Sequence, residues 1–148
     1  MSSNRRRARE IALQILYRYD IAKAASPDLA PPQGAALAKE ISQHFDHFKT
    51  DMDLREFTAQ LVAGTLLNQG EIDPLLERHA SHWKITRMSF VDRSLLRMAA
   101  YELKHLPETP HAVVINEAVE LGKQFGTSET PSFVNGVLDA IQKELRPH

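Results

Sequence analysis

The chain has 148 residues, a length that fits one domain with room for a real core, and its net charge of −1 excludes a global basic field, so any anion must bind locally. It has no cysteine, which excludes disulfide staples, thiolate metal sites and cysteine nucleophiles and fits a reducing compartment. No run approaches the roughly 18 apolar residues of a membrane span, and no apolar signal segment follows Met1-Ser2-Ser3-Asn4, so a cytoplasmic protein with no membrane partner is expected.

Charge is unevenly placed. Residues 1–23 hold six Lys/Arg against two acids, and the rest of the chain holds 12 against 17. A polyanion would meet one end of the sequence, and its binding would weaken with salt. Arg5-Arg6-Arg7-Ala8-Arg9-Glu10 runs directly into a helical apolar pattern. As one helix over 5–23, Ala8, Ile11, Ala12, Ile15, Leu16, Tyr19 and Ala22 form a stripe. Arg6, Glu10, Leu13 and Tyr17 take the opposite side, with Arg9 at one flank and Arg7 and Arg18 at the other. Arginines beside a tyrosine suit phosphate contact and base stacking. The alternative is a basic terminus leading into a core helix, with Leu13 and Tyr17 buried under another element. Glu10 and Asp20 inside the segment argue against an organelle transit peptide.

Residues 24–34 read as a loop, because three prolines and a glycine cannot continue the helix. A second helix is predicted over about 35–48, with Leu37, Ile41, Phe45 and Phe48 on its apolar face. Asp51 or Asp53 caps a third, carrying Leu54, Phe57, Leu61, Val62 and Leu66 and ending at Gly70. Asp73-Pro74 reads as an N-cap and first helical proline, opening a fourth helix to about Trp83. Ser89-Phe90-Val91-Asp92 resembles a capping box and starts a fifth, with Val91, Leu95, Met98, Ala99 and Leu103 inward and Leu106-Pro107 as its stop. A sixth spans about Ala112 to Phe125, with Gly126 just beyond. Thr130-Pro131 begins a seventh, carrying Phe133, Val134, Val137, Leu138, Ile141 and Leu145. Gly136 inside that pattern suggests close helix packing. Val113-Val114-Ile115 is the one strand-like run, and the helical pattern around it overrides it. The predicted fold is all-α, about seven helices in a single domain, 1–148.

Catalytic patterns are missing. Gly64 to Gly70 lacks the lysine of a phosphate loop, and neither a Gly-x-Ser-x-Gly elbow nor HExxH occurs. Glu117 and Glu120 fit a solvated helix face better than an acid/base pair. No enzyme and no cofactor are expected. His44 with His47, and His79 with His82, are i, i+3 pairs, but two imidazoles do not complete a zinc sphere, so no metal is expected. Trp83 is assigned to packing under a loop, and Met88 and Met98 to the core. The tight turn Phe125-Gly126-Thr127-Ser128-Glu129-Thr130-Pro131-Ser132-Phe133 has an aromatic at each edge. Free backbone N–H groups at the start of its helix favour anions and phenyl faces accept bases; the competing reading packs both rings into the core.

Four ordered motifs together resemble the NusB family of bacterial transcription antitermination factors: Arg5 to Glu10 with Leu16-Tyr17, Leu96 to Leu103, Val114 to Gly126, and Phe133-Val134-Asn135-Gly136-Val137-Leu138-Asp139. The resemblance implies an all-helical fold of two packed bundles and no enzymatic activity. It further implies binding to boxA RNA of ribosomal RNA leader transcripts jointly with the ribosomal protein NusE, and indirect engagement of RNA polymerase and other Nus factors. Carried over by position, Arg5, Arg6, Arg7 and Arg9 match the RNA-binding arginine motif, with Tyr17 on the same helix. Phe125 and Phe133 match aromatics of the last inter-helix segment, Lys123 adds charge nearby, and Asp92 matches an acidic position facing the ribosomal-protein partner. On this reading the Phe125–Phe133 turn lies alongside the arginine helix. Residues 24–52 match no motif, and Thr127 to Ser132 carry no base. Two other readings are a methyltransferase-associated NusB-like module, which needs a catalytic domain beyond His148, and a helical protein-interaction module without RNA binding. The sequence leaves the free protein open between a monomer and a homodimer that hides the arginine face.

Overall fold

A computed structural model describes residues 2–46, 51–81 and 83–147. His47, Phe48 and His82 lie outside the described residues. Regular structure among the described residues is seven α-helices and one short 3-10 turn, with no strand, as expected for an all-α fold. The chain divides into two compact units, Met1–Leu67 and Asn68–His148.

The first unit contains α1 (Ser2–Ala25), α2 (Gly34–Ser42) and α3 (Met52–Leu67), with α1 and α2 each packed on α3. The stripe expected on α1 is buried from Ala8 to Leu16 but runs out beyond it, since Tyr19 is half-buried and Ala22 exposed. Leu13, placed on the opposite side by the helical wheel, is buried as well, so the apolar face is wider than expected. The end of α1 instead fixes the proline-rich loop: the Tyr19 hydroxyl donates to the Leu29 carbonyl (3.1 Å) and Lys23 Nζ to the Pro27 carbonyl (3.0 Å). Arg18 pairs with Glu40 at 2.6 Å, joining α1 to α2. Helix α2 buries Leu37 and Ile41 but stops short of the predicted end. The amides of Gln43, His44 and Phe45 turn back three residues, to Glu40, Ile41 and Ser42, and this tightening closes the helix. Asp51 precedes α3, and its carbonyl accepts the Arg55 amide at 2.9 Å.

The second unit contains α4 (Gln69–His79), the 3-10 turn Ile85–Arg87, α5 (Phe90–His105), α6 (His111–Phe125) and α7 (Thr130–Leu145). Helix α5 is its axis: Ser94 to Leu103 are all buried, and α4, α6 and α7 pack on it. The Ser89 cap is present, with the Asp92 amide donating to Ser89 Oγ at 3.0 Å. At the other end of the helix Arg146 donates to the carbonyls of Leu103 and Thr109, satisfying backbone acceptors that have no helical partner. Val113 to Ile115 are helical.

Three sequence expectations fail here. Gly70 does not end α3; it lies in the first turn of α4, which starts four residues before the Asp73 cap position. The Glu71 and Ile72 amides bond the Asn68 carbonyl and nucleate that earlier turn. Asp73 does not cap, because its carboxylate takes a two-pronged bond from the buried Arg97 guanidinium at 2.8 and 2.9 Å. Pro74 therefore sits inside the helix, at the loss of one backbone bond near its exposed start. Gly136 is likewise not a packing glycine: it is exposed, and a Cβ there would meet nothing within 4 Å.

Candidate nucleic-acid interface

On the first unit, α1 begins with no acidic residue in its first turn, so the positive end of its dipole adds to the arginine charge. Arg5, Arg6 and Arg7 are exposed, and Arg7 pairs with Glu10 one turn on. Arg9 is different. It is 3% exposed, although the wheel places it at a polar flank. The i, i+4 spacing sets Arg5 and Arg9 on one face, and both guanidinium groups lie over the Phe57 ring of α3, at 4.0 and 5.3 Å. The structure thus separates a solvent-facing Arg5-Arg6-Arg7 group from Arg9, whose stem and head cover a core aromatic. Tyr17 is half-buried on the same helix.

On the second unit, the corner between α6 and α7 is built by glycine and threonine. A Cβ at Gly126 would fall 2.4 Å from Thr130 Oγ1, and one at Gly122 would fall 3.0 Å from Thr130 Cγ2. Thr130 is 1% exposed. Its hydroxyl accepts the Thr127 amide at 3.0 Å and donates to the Asp92 carboxylate at 2.7 Å. Asp92 therefore serves two elements: its amide completes the Ser89 cap, and its carboxylate holds α7. Phe125 and Phe133 are both half-buried, between the core and contact readings of the sequence. Lys123 is exposed and pairs with Glu120 at 3.1 Å.

Trp83, assigned by sequence to packing, is 50% exposed. Its ring meets that of Phe133 edge to face, with centroids 6.3 Å apart and planes at 66°. The two rings help line a cleft of about 310 Å³ with Arg87, Ser89, Asp92 and Thr127. The signal that could have found it is the neighbourhood Trp83-Lys84-Ile85-Thr86-Arg87, an aromatic set among cations.

Two described histidines, His79 and His105, bond glutamates. His79 and Arg78 both bond Glu144, each at 2.6 Å, and these bonds hold the Glu144 carboxyl down at about 2. His105 bonds Glu71, whose carboxyl also lies below its usual range for that reason. Burial, then the charges of Arg18 and Arg7, lower His44. Among the described residues no group of three His, Cys, Asp or Glu is placed to hold a metal ion, and no helix is long and apolar enough to cross a membrane.

The model of the NusB family matches residues 6–143. A transcription antitermination protein NusB of Desulfatibacillum aliphaticivorans is 44% identical over 141 residues, covering 95% of this chain and 91% of the relative. Its counterpart in Myxococcus xanthus is also 44% identical, covering 95% and 96%. Among solved structures, NusB of T. maritima superposes with a TM-score of 0.80 at 33% identity, over 97% of this chain and 93% of the other. A crystal structure of the antitermination factors NusB and NusE in complex with dsRNA aligns at a TM-score of 0.77 and 29% identity, over 97% and 99%.

Proposed function

The chain belongs to the NusB family, and we propose from that premise that it is a transcription antitermination factor that binds boxA-type single-stranded RNA together with NusE. It performs no chemical step; it holds RNA and partner for RNA polymerase and the other Nus factors, in the cytoplasm, and residues 1–148 serve as one RNA-binding domain. The observation that carries the reading is the exposed Arg5-Arg6-Arg7 group at the positive end of α1, in a chain whose other residues are net acidic. Such a group neutralises phosphates and releases counterions.

Arg5, Arg6 and Arg7 are the phosphate contacts, and Tyr17, Lys123, Phe125 and Phe133 are further RNA contacts. Arg9 supports the arginine helix from inside. Asp92 is the partner contact for NusE, and it is half-buried with one carboxylate oxygen engaged by Thr130. The test is titration of labelled boxA-like and scrambled single strands, with and without NusE, over a salt series. Preference for the boxA-like strand that rises with NusE and falls steeply with salt supports the reading. Equal affinity for both strands, or no binding to either, overturns it, the second result leaving a protein-interaction module. Sedimentation with rising RNA reads the free state: a homodimer that hides the arginines would dissociate as RNA binds.

A further inference from the structure

We propose that Trp83 is a further RNA-contact residue, and that its cleft with Phe133 takes one unstacked nucleobase of the bound single strand. The proposal rests on the RNA-binding reading above, but it adds a residue to which neither the arginine motif nor the aromatic turn extends.

Three observations carry it. First, half of a tryptophan is left in water beside another half-exposed aromatic, where burial would otherwise be gained. An edge-to-face pair leaves the face of the edge-on ring uncovered by its partner, a platform on which a base can stack. Second, the cleft supplies both hydrogen-bond senses. Ser89 Oγ accepts the Asp92 amide and retains its own O–H to donate. Asp92 Oδ1 is occupied by Thr130, and the two lone pairs of Oδ2 let it accept from a base N–H as well as from the partner. Single-stranded bases present both kinds of group on their edges. Third, charge is sorted by depth. Asp92 is half-buried, whereas Arg87 at the cleft and Lys84 next to Trp83 are exposed. Cations outside and an acceptor inside match a nucleotide whose phosphate stays at the rim. The volume, about 310 Å³, lies at the lower end of the roughly 300–1,000 Å³ range of small-ligand pockets and suits one base, not a duplex. Glu129, exposed and also at the cleft, disfavours a phosphate at that edge, leaving the Lys84–Arg87 side as the entry.

Trp83 is the single tryptophan of the sequence, so its emission is a direct reporter in the whole 148-residue chain. Adding a boxA-like strand in the presence of NusE should change Trp83 emission with the same midpoint as the anisotropy of the labelled RNA. W83A should weaken RNA binding on the order of 10-fold or more, and W83F should recover most of it, as stacking requires. The salt slope should be unchanged in W83A, because no phosphate contact is lost. In a series of strands each lacking one base, the effect of W83A should vanish for one position. Undiminished affinity in W83A, or Trp83 emission of the unaltered protein that does not move while RNA binds, overturns the proposal and leaves the RNA-binding reading standing. A W83A defect confined to NusE affinity also overturns it and makes the cleft a protein surface. Absence of RNA binding in the unaltered protein removes both.

Discussion

The hydroxyl of Thr130 donates to the carboxylate of Asp92 at 2.7 Å, and this bond joins the first turn of α7 to the first turn of α5. Thr130 also accepts the Thr127 amide, so T130V would orphan a donor and an acceptor beside the corner. We expect a loss of about 1–3 kcal/mol in urea unfolding. D92N keeps an oxygen for Thr130 and should stay near the unaltered stability. If D92N nevertheless weakens NusE binding, the Asp92 charge acts on the partner; if only D92A does so, the corner geometry is what matters.

The glycines of the last two helices make opposite predictions. G126A would push a methyl into Thr130 within 2.7 Å, and the buried threonine has little room to yield. Overpacking of this kind costs about 1–3 kcal/mol. G136A meets nothing within 4 Å at an exposed helical site, and it should stabilise by about 0.5–1 kcal/mol through the lower entropy of the unfolded chain. Chemical denaturation of the two variants checks both signs.

Acid stability should register Glu144. Its carboxyl titrates at about 2 in the folded chain, below its ordinary 4.5, because Arg78 and then His79 bond the ionised form. A depressed carboxyl favours folding above its unfolded value, and that contribution is lost as pH falls from about 4.5 through 2. Stability should therefore drop over this window, and E144Q should drop less steeply, with the unfolding midpoint followed against pH. Glu71 and Asp139 are shifted the same way and will leave a residual slope in that variant.

The helices were legible where a local signal had no competitor. Ser89, Gly126 and Thr130-Pro131 mark real boundaries because each acts within its own turn. Asp73-Pro74 misled because a distant side chain, Arg97, claims the aspartate that would have capped, and sequence spacing contains no trace of that pairing. The arginine run was legible as charge but not as geometry: a wheel assigns Arg9 by angle alone, whereas Phe57 on α3 draws its guanidinium inward. Trp83 was missed for the converse reason. Tryptophan is most often a packing residue, and only the placement of Phe133 reveals a half-open ring pair.

That division among the arginines gives the sharpest functional prediction. R6A and R7A remove exposed charge, so each should lower RNA affinity on every sequence and reduce the salt slope by about 1. Their stability should stay within about 0.5 kcal/mol of the unaltered protein, as for ordinary surface positions. R5A loses an exposed charge and a cation–π contact together, so beside the same fall in salt slope it should add a stability loss of about 0.5–1 kcal/mol. R9A should do the reverse of R6A. It empties a buried site against Phe57, and is expected to lower stability by about 1–3 kcal/mol while the folded protein keeps the full salt slope. Salt-dependent anisotropy and urea melts on the four variants separate the two roles. A reduced salt slope in R9A with stability intact would return Arg9 to the phosphate-binding group.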